Sequence, residues 1–423
     1  MSAPLRNGIR LALLSSLAPA LEAGVLVVAT AAGPGVDATS IQDAVAMAVE
    51  GDTILVRDGV YDRFTVTGKS LVVVAEGSDA SVWFNPGTNG QGAAAIVVEG
   101  LDAGQEVVVR GLRTNYGVRV EDCTGAVWFD SVTVDGAPVL ALCTISAVAG
   151  AHVEDAALVT FTGCTLVGEE GNTGALFGSG LPGDGLFALR STAQLYDTRV
   201  LGGPGGGLLF NTAQEGAPGL RLQQSDVLTV GCSIEGGPGG RNGSPICSVT
   251  HATGGPGVRF ASLAGSLSSV ATTAVGGALD LEPMCPGQTG PAGPPIQGNG
   301  TIVPLAGFPR FLETDSPVRG GDPLRLTARG QPGELPVVFL SRTHSAFDLP
   351  ALSGALLIGL PPEDTLVLPT TDASGTAWID LPVPNVGAAL GALTYYAQAL
   401  FVDPSAGLWL GGGCTLTLVD GTL

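Results

Sequence analysis

Four ten-residue segments of this chain align without a gap, and nothing else in it limits the fold so strongly. They are VWFDSVTVDG from Val127, VTFTGCTLVG from Val159, AQLYDTRVLG from Ala193 and VLTVGCSIEG from Val227, offset by 32, 34 and 34 residues. Their sixth positions are Val132, Cys164, Thr198 and Cys232, and all four end on glycine. Between them recurs a second element: GLFAL from Gly185, GLRLQ from Gly219 and GVRFA from Gly257. GGPGG occurs at Gly202 and again at Gly236. Self-similarity at a fixed period means stacked units. Each unit holds two or three short strands joined by glycine turns and has no helix, which excludes leucine-rich, ankyrin and tetratricopeptide solenoids. Propeller blades of about 40 residues would fit the length, but no four-strand pattern is present and the offset drifts. A parallel β-helix tolerates such drift, because insertions leave at its corners. On that reading Val132, Cys164, Thr198 and Cys232 form one interior column. Cys164 and Cys232 are then separated by a rung and cannot bond.

Composition agrees with an all-β chain. Of 423 residues 65 are glycine and 29 proline, and only 5% are aromatic. Small and β-branched residues with frequent turns favour many short strands. Net charge is −20 and Lys69 is the only lysine. No basic stripe exists to meet phosphates, which excludes nucleic acid as a partner. An acidic surface also disfavours polyanionic substrates unless a cation bridges.

One stretch departs from the strand pattern: SIQDAVAMAVEGDTILVRDGVY, Ser40 to Tyr61. Ser40 caps a helix, Asp43 sits in its first turn, and Ile41, Val45, Ala48 and Val49 share a face. Gly51 stops the helix, and Thr53 to Val56 is a strand. A stack of rungs has an open end, and an uncovered edge invites aggregation. One amphipathic helix across the first rung covers it, with Ile41, Val45 and Val49 on the core.

At the N-terminus, Arg6 and Arg10 precede the apolar run Leu11–Leu17 and small-residue sites at Ala20 and Ala23. Residues 1–23 read as a secretory signal peptide, which places the chain outside the cell or on its surface. No stretch is apolar for long enough to be a transmembrane segment. The seven cysteines contain no C-x-x-C pair, so zinc held by cysteines is excluded, and Cys232–Cys247 is the most local disulfide candidate.

The Ser40–Tyr61 stretch resembles the N-terminal cap and first coil of the pectin-lyase-like, right-handed parallel β-helix superfamily. The resemblance rests on Ile41, Gln42, Ala44, Ala48, Gly51, Asp52, Thr53, Ile54, Val56, Gly59 and Tyr61. It implies that fold over residues 25–282. The chain as a whole is similar to secreted β-helix proteins of planctomycete-type bacteria. Residues 283–304 are a Pro/Gly-rich linker by composition. Six or seven strand-like runs in 305–423 suggest a small β-sandwich.

The chemistry-bearing residues are few. Glu121-Asp122 and Glu154-Asp155 lie 33 residues apart, each pair preceded by valine, with His152 beside the second. Stacked on adjacent rungs, Glu121, Asp122, His152, Glu154 and Asp155 would make a carboxylate cluster for inverting hydrolysis or a calcium site. Otherwise they are two solvated turns. Among β-helix enzymes, the hydrolase motifs G-H-G and R-I-K are absent. VWFDS echoes a lyase motif but has Ser131 in place of its histidine, and Gly321 stands where the lyase arginine motif has proline. Trp128 and Asp130 then read as ordinary strand residues. Two functions are expected in order: a non-catalytic surface-structural, adhesive or glycan-binding protein that meets extracellular polysaccharide or cell-surface components, and a polysaccharide lyase or glycoside hydrolase using the carboxylate cluster. No cofactor other than calcium is implied.

Overall fold

The computed structural model describes residues 24–84, 94–136, 148–171, 181–206, 214–240, 252–261, 265–278, 291–348, 354–387, 391–403 and 407–423. Segment 1–23, read as a signal peptide, and Cys143, Cys247 and Cys285 lie outside them. The chain is nearly all-β, with one helix, Ile41–Met47, among the described residues.

Up to Leu305 the strands form three parallel stacks, with one register shift, between Cys123 and Ala126, where the two long strands pass from the first stack to the second. The first stack runs Phe64–Thr67, Ile96–Glu99, the starts of the long strands Val118–Asp130 and Ala151–Thr162, then Leu186–Leu189, Leu220–Gln223, Val258–Phe260 and Ile296–Gln297. The second runs Val25–Val28, Thr53–Val56, Leu71–Ala75, Glu106–Arg110, the ends of the two long strands, then Thr192–Tyr196, Asp226–Val230, Ser266–Val270 and Thr301–Leu305. The third is made of two- and three-residue strands from Gly59–Tyr61 to Thr273–Val275. Val127 pairs with Val159, Val159 with Ala193 and Ala193 with Val227. That is the gapless sequence alignment realised as a ladder.

The inward faces of the three stacks meet in one apolar core. Fully burying each Val or Leu contributes about 1.5–3 kcal/mol, and the rings of Phe129 and Phe161 stack at 5.2 Å. Val132, Cys164, Thr198 and Cys232 are all buried. Carbonyls of that column accept from the next rung: Val132 O from Thr165 N–H, Cys164 O from Arg199 N–H and Thr198 O from Ser233 N–H. The residue before each column position is left-handed, with φ of 56° at Ser131, 60° at Gly163, 47° at Asp197 and 62° at Gly231. This column is the corner at which each rung turns from the second stack into the third. Cys123, Cys164, Cys232 and Cys414 are buried free thiols, so Cys232 makes no disulfide. Burial pushes the Cys164 and Cys232 thiols up to about 12, which leaves them unreactive.

The helix covers the start of the stacks as expected, with one difference. Ser40 Oγ accepts from Asp43 N–H at 3.0 Å, and Ile41, Ala44, Val45 and Ala48 are buried. Val49 is 57% exposed, because the helix ends at Met47 and Ala48 is already extended. The lone lysine closes that end: Lys69 Nζ donates to Val45 O at 2.6 Å and Ala48 O at 2.9 Å. The Gln42 side chain acts as a substitute strand. Its Oε1 accepts from Thr65 N–H at 2.7 Å and its Nε2 donates to Thr65 O at 3.4 Å, satisfying the otherwise open edge of Phe64–Thr67.

Many glycines prove not to be turn residues. After the third stack, extended limbs from successive rungs lie flat against each other. Gly203 N–H donates to Gly183 O, Ala217 to Gly203, Gly237 to Ala217, Gly255 to Gly237 and Gly277 to Gly255, at 2.7–3.0 Å. A Cβ on Gly237 would stand 1.9 Å from Gly203 O. The two GGPGG copies therefore mark backbone packed against backbone, at a distance no other residue permits.

One expectation about the C-terminal part is corrected. The 283–304 segment, of which residues 291–304 are described, is not a linker there, since Ile296–Gln297 and Thr301–Leu305 are strands of the first and second stacks. The composition of that region is that of the glycine-rich limbs, which the last rung repeats. Beyond it, seven strands form one sheet path in the order Asp364–Val367, Leu335–Ser341, Ala392–Asp403, Gly407–Val419, Phe311–Thr314, Pro323–Arg329, Thr376–Pro382. Their pairings are antiparallel except between Phe311–Thr314 and Gly407–Val419. Inward residues from along the path share one core that includes Leu326, Val338, Ala397, Phe401 and Leu416.

This sheet is docked on the outer face of the second stack. The long strand Gly407–Val419 carries the contact, and from Leu410 to Val419 it is buried on both faces. Cys414, Leu416 and Leu418 face its own core, and Val419 packs with Val27, Leu55 and Val74. Trp128 is 1% exposed between His344 and Tyr396, with ring centroids 4.8 and 5.4 Å away. Asp130 is buried beside Arg110 and Thr415. Trp128 and Asp130 are thus joint residues between the two parts, not ordinary strand residues.

Candidate functional site

With the second stack covered, the first stack is the flank on which the expected site residues stand. Side chains alternate across a strand, and neighbouring strands lie about 4.8 Å apart. Parallel in-register pairing therefore builds straight outward columns. One column reads Thr65, Val97, Arg119, His152, Phe187, Arg221, Arg259 and Gln297, rung by rung. The next reads Thr67, Glu99, Glu121, Glu154, Leu189 and Gln223.

Glu121, His152 and Glu154 come together. One ligand atom from each lies within 4.8 Å of the other two, and this is the metal-capable group found among the described residues. Asp122 and Asp155 do not join it. They occupy the left-handed corner position, with φ of 53° and 50°, in the same column as Arg190 and Gln224. A short polar side chain tolerates that conformation, which is a structural reason for aspartate there.

Guanidinium groups hold the carboxylates. Glu121 Oε1 accepts from Arg119 Nε. Arg190 donates to Glu154 Oε1 at 2.7 Å and to both oxygens of Asp155 at 2.6 Å. This pairing draws the Asp155 carboxyl below its ordinary value. His152 Nε2 is 3.4 Å from Glu154 Oε2 without hydrogen-bond geometry, and the atom is shut off from solvent. Burial lowers the His152 pKa, against the pull of Glu154 and Glu121. Its ring lies 5.1 Å from Phe187, over which Arg221 places its guanidinium at 5.7 Å. Arg221 also pairs at 3.0 Å with Asp184, whose carboxyl is raised to about 6 by burial.

Arg119, Arg190, Phe187 and Arg221 were not singled out in the sequence. The signal for two of them was present: Phe187, Arg221 and Arg259 are the third residues of the aligned segments from Gly185, Gly219 and Gly257. Arg190 reaches Glu154 and Asp155 from the following rung, a contact that needs the register.

Elsewhere, a cleft of about 300 Å³ follows the joint between stack and sheet at Asp130, Asp197, Glu313 and Arg325. Three of its charges are engaged within the fold: Asp130 with Arg110, Glu313 with Arg329 and Arg325 with Asp380. No protein-family model matches the chain, and no curated protein matches it.

Proposed function

We propose that this is a non-catalytic parallel β-helix protein of the pectin-lyase-like kind, secreted to the cell exterior or surface, with a docked β-sandwich-like module at its C-terminus. It serves as a surface-structural, adhesive or glycan-binding element. The helix-capped start, the in-register stacks and the Ser40–Tyr61 motif support the β-helix reading. One observation carries the non-catalytic reading: Glu121, Glu154 and Asp155 are each engaged by a guanidinium. Acid–base cleavage needs one protonated carboxyl and one free carboxylate facing the scissile bond. With each of these carboxylates held by a guanidinium, none is left free to face a scissile bond.

The outward column around Phe187 is the binding face. An aromatic ring flanked by His152 and Arg221 offers a sugar ring an apolar platform with polar neighbours. A fixed step between rungs suits an extended polymer. The test is retention of neutral and acidic polysaccharides by the purified chain, with and without calcium, alongside assays for new reducing ends and unsaturated products. Retention without products, weakened in Phe187→Ala, is expected. Turnover that disappears in Glu121→Gln or Glu154→Gln would establish a lyase or hydrolase instead.

A further inference from the structure

The geometry points to a divalent transition-metal site of the zinc class formed by Glu121, His152 and Glu154, stapling two neighbouring rungs. The three residues offer one imidazole nitrogen and two carboxylate oxygens, mutually within 4.8 Å. Strand register fixes them: Glu121 and Glu154 are paired neighbours, and His152 stands two residues before Glu154 on the same face. Zinc takes nitrogen and oxygen ligands at about 2.0–2.2 Å, often three from the protein with a further position left open. Calcium wants six to eight oxygens. A set of three with an imidazole among them suits zinc, cobalt or nickel and does not suit calcium, so the donor chemistry departs from the calcium expected of a carboxylate cluster.

A second observation concerns the imidazole, whose Nε2 lies 3.4 Å from Glu154 Oε2. His152 Nε2 is sealed from water and has no hydrogen-bond partner. A buried polar atom without a partner is costly, and a metal removes that cost. Arg119 engages Glu121 through Oε1 and Arg190 engages Glu154 through Oε1. Outer partners of this kind orient ligating carboxylates in metal sites. The site stands apart from the proposed function, because it is read on the protein without any glycan.

The experiment uses the full chain without an affinity tag. Zinc chloride is titrated by calorimetry, and cobalt chloride by visible absorption, which reports coordination geometry directly. A single saturable site is expected, with d–d bands of low-coordinate cobalt that zinc abolishes. Affinity should fall about tenfold or more in His152→Ala and in Glu154→Gln, with far-UV circular dichroism unchanged. In Arg190→Gln, which removes an outer partner and no ligand, saturable binding should remain but be weaker than in the parent chain, which separates loss of a ligand from loss of fold. No saturable zinc or cobalt binding, binding unaltered by His152→Ala, or saturation by calcium in preference to zinc would each overturn the assignment.

Discussion

Asp130 and Thr415, 285 residues apart in the chain, share two hydrogen bonds of 2.7 Å: Asp130 Oδ2 accepts from both the backbone N–H and the hydroxyl of Thr415. Arg110 completes the group, pairing with Asp130 and donating to Thr415 O at 2.6 Å and Thr314 O at 2.7 Å. These bonds tie the outer face of the second stack to the docked sheet. Asp130→Ala would strand a buried guanidinium. Removing one partner of such a pair costs about 3–5 kcal/mol. Urea unfolding should show that loss, and the Arg110→Met/Asp130→Leu double variant should recover much of it. A loss within the range of a surface substitution would mean that the two parts are not joined here.

His344 sits in the same joint, and its burial makes the joint sensitive to acid. Its pKa is lowered to about 3 by desolvation. The groups facing it are Glu106, which accepts its backbone N–H at 3.0 Å, and the phenol of Tyr396. In the unfolded chain histidine titrates near 6.5. Between pH 6.5 and 3 the unfolded state therefore binds the extra proton, and stability falls as pH falls, by up to about 1.4 kcal/mol per unit. His344→Phe keeps an aromatic ring in place. The wild-type minus variant difference in stability should be flat above pH 7 and should slope through the acid window.

Glu169 works in the opposite direction. It is 1% exposed, with Oε2 accepting from Val148 N–H at 2.8 Å and Oε1 unpartnered. Burial raises its carboxyl from 4.5 to about 7. The folded state then holds the proton over that window while the unfolded state has lost it. This group's contribution declines as pH rises from 4.5 to 7, by on the order of 3 kcal/mol in total. Glu169→Gln should remove that slope. An unchanged pH profile would show that Glu169 is ionised in the folded protein.

The flat glycine limbs predict an asymmetry among glycines. Gly237→Ala forces a methyl to 1.9 Å from Gly203 O, and the overlap should cost about 1–3 kcal/mol or more. Gly33, with nothing within 4 Å of its would-be Cβ, should accept alanine within about 0.5 kcal/mol. Thermal unfolding of the two variants side by side checks the comparison, and equal effects would contradict the close approach.

Much of the fold was legible because it repeats. The segments at Val127, Val159, Ala193 and Val227 pair in the register of their alignment, and Val132, Cys164, Thr198 and Cys232 form the expected column. Ser40, Ile41 and Val45 announced the covering helix. The site was half legible. The 33-residue spacing placed Glu121 beside Glu154, but Asp122 and Asp155 belong to a corner.

A repeated sequence carries its own register, since each rung's apolar positions must fall over those of the rung before. That physical requirement let the sequence alone determine the stacks, the interior column and the capped start. Tertiary structure decided what the outside of the stacks meets. Trp128 and Asp130 lie beneath strands that begin more than 200 residues later, at His344, Ala392 and Gly407, and Arg190 reaches back a rung to hold Glu154 and Asp155. Those contacts depend on the shapes of two separately formed surfaces, and no period in the chain records how such surfaces fit.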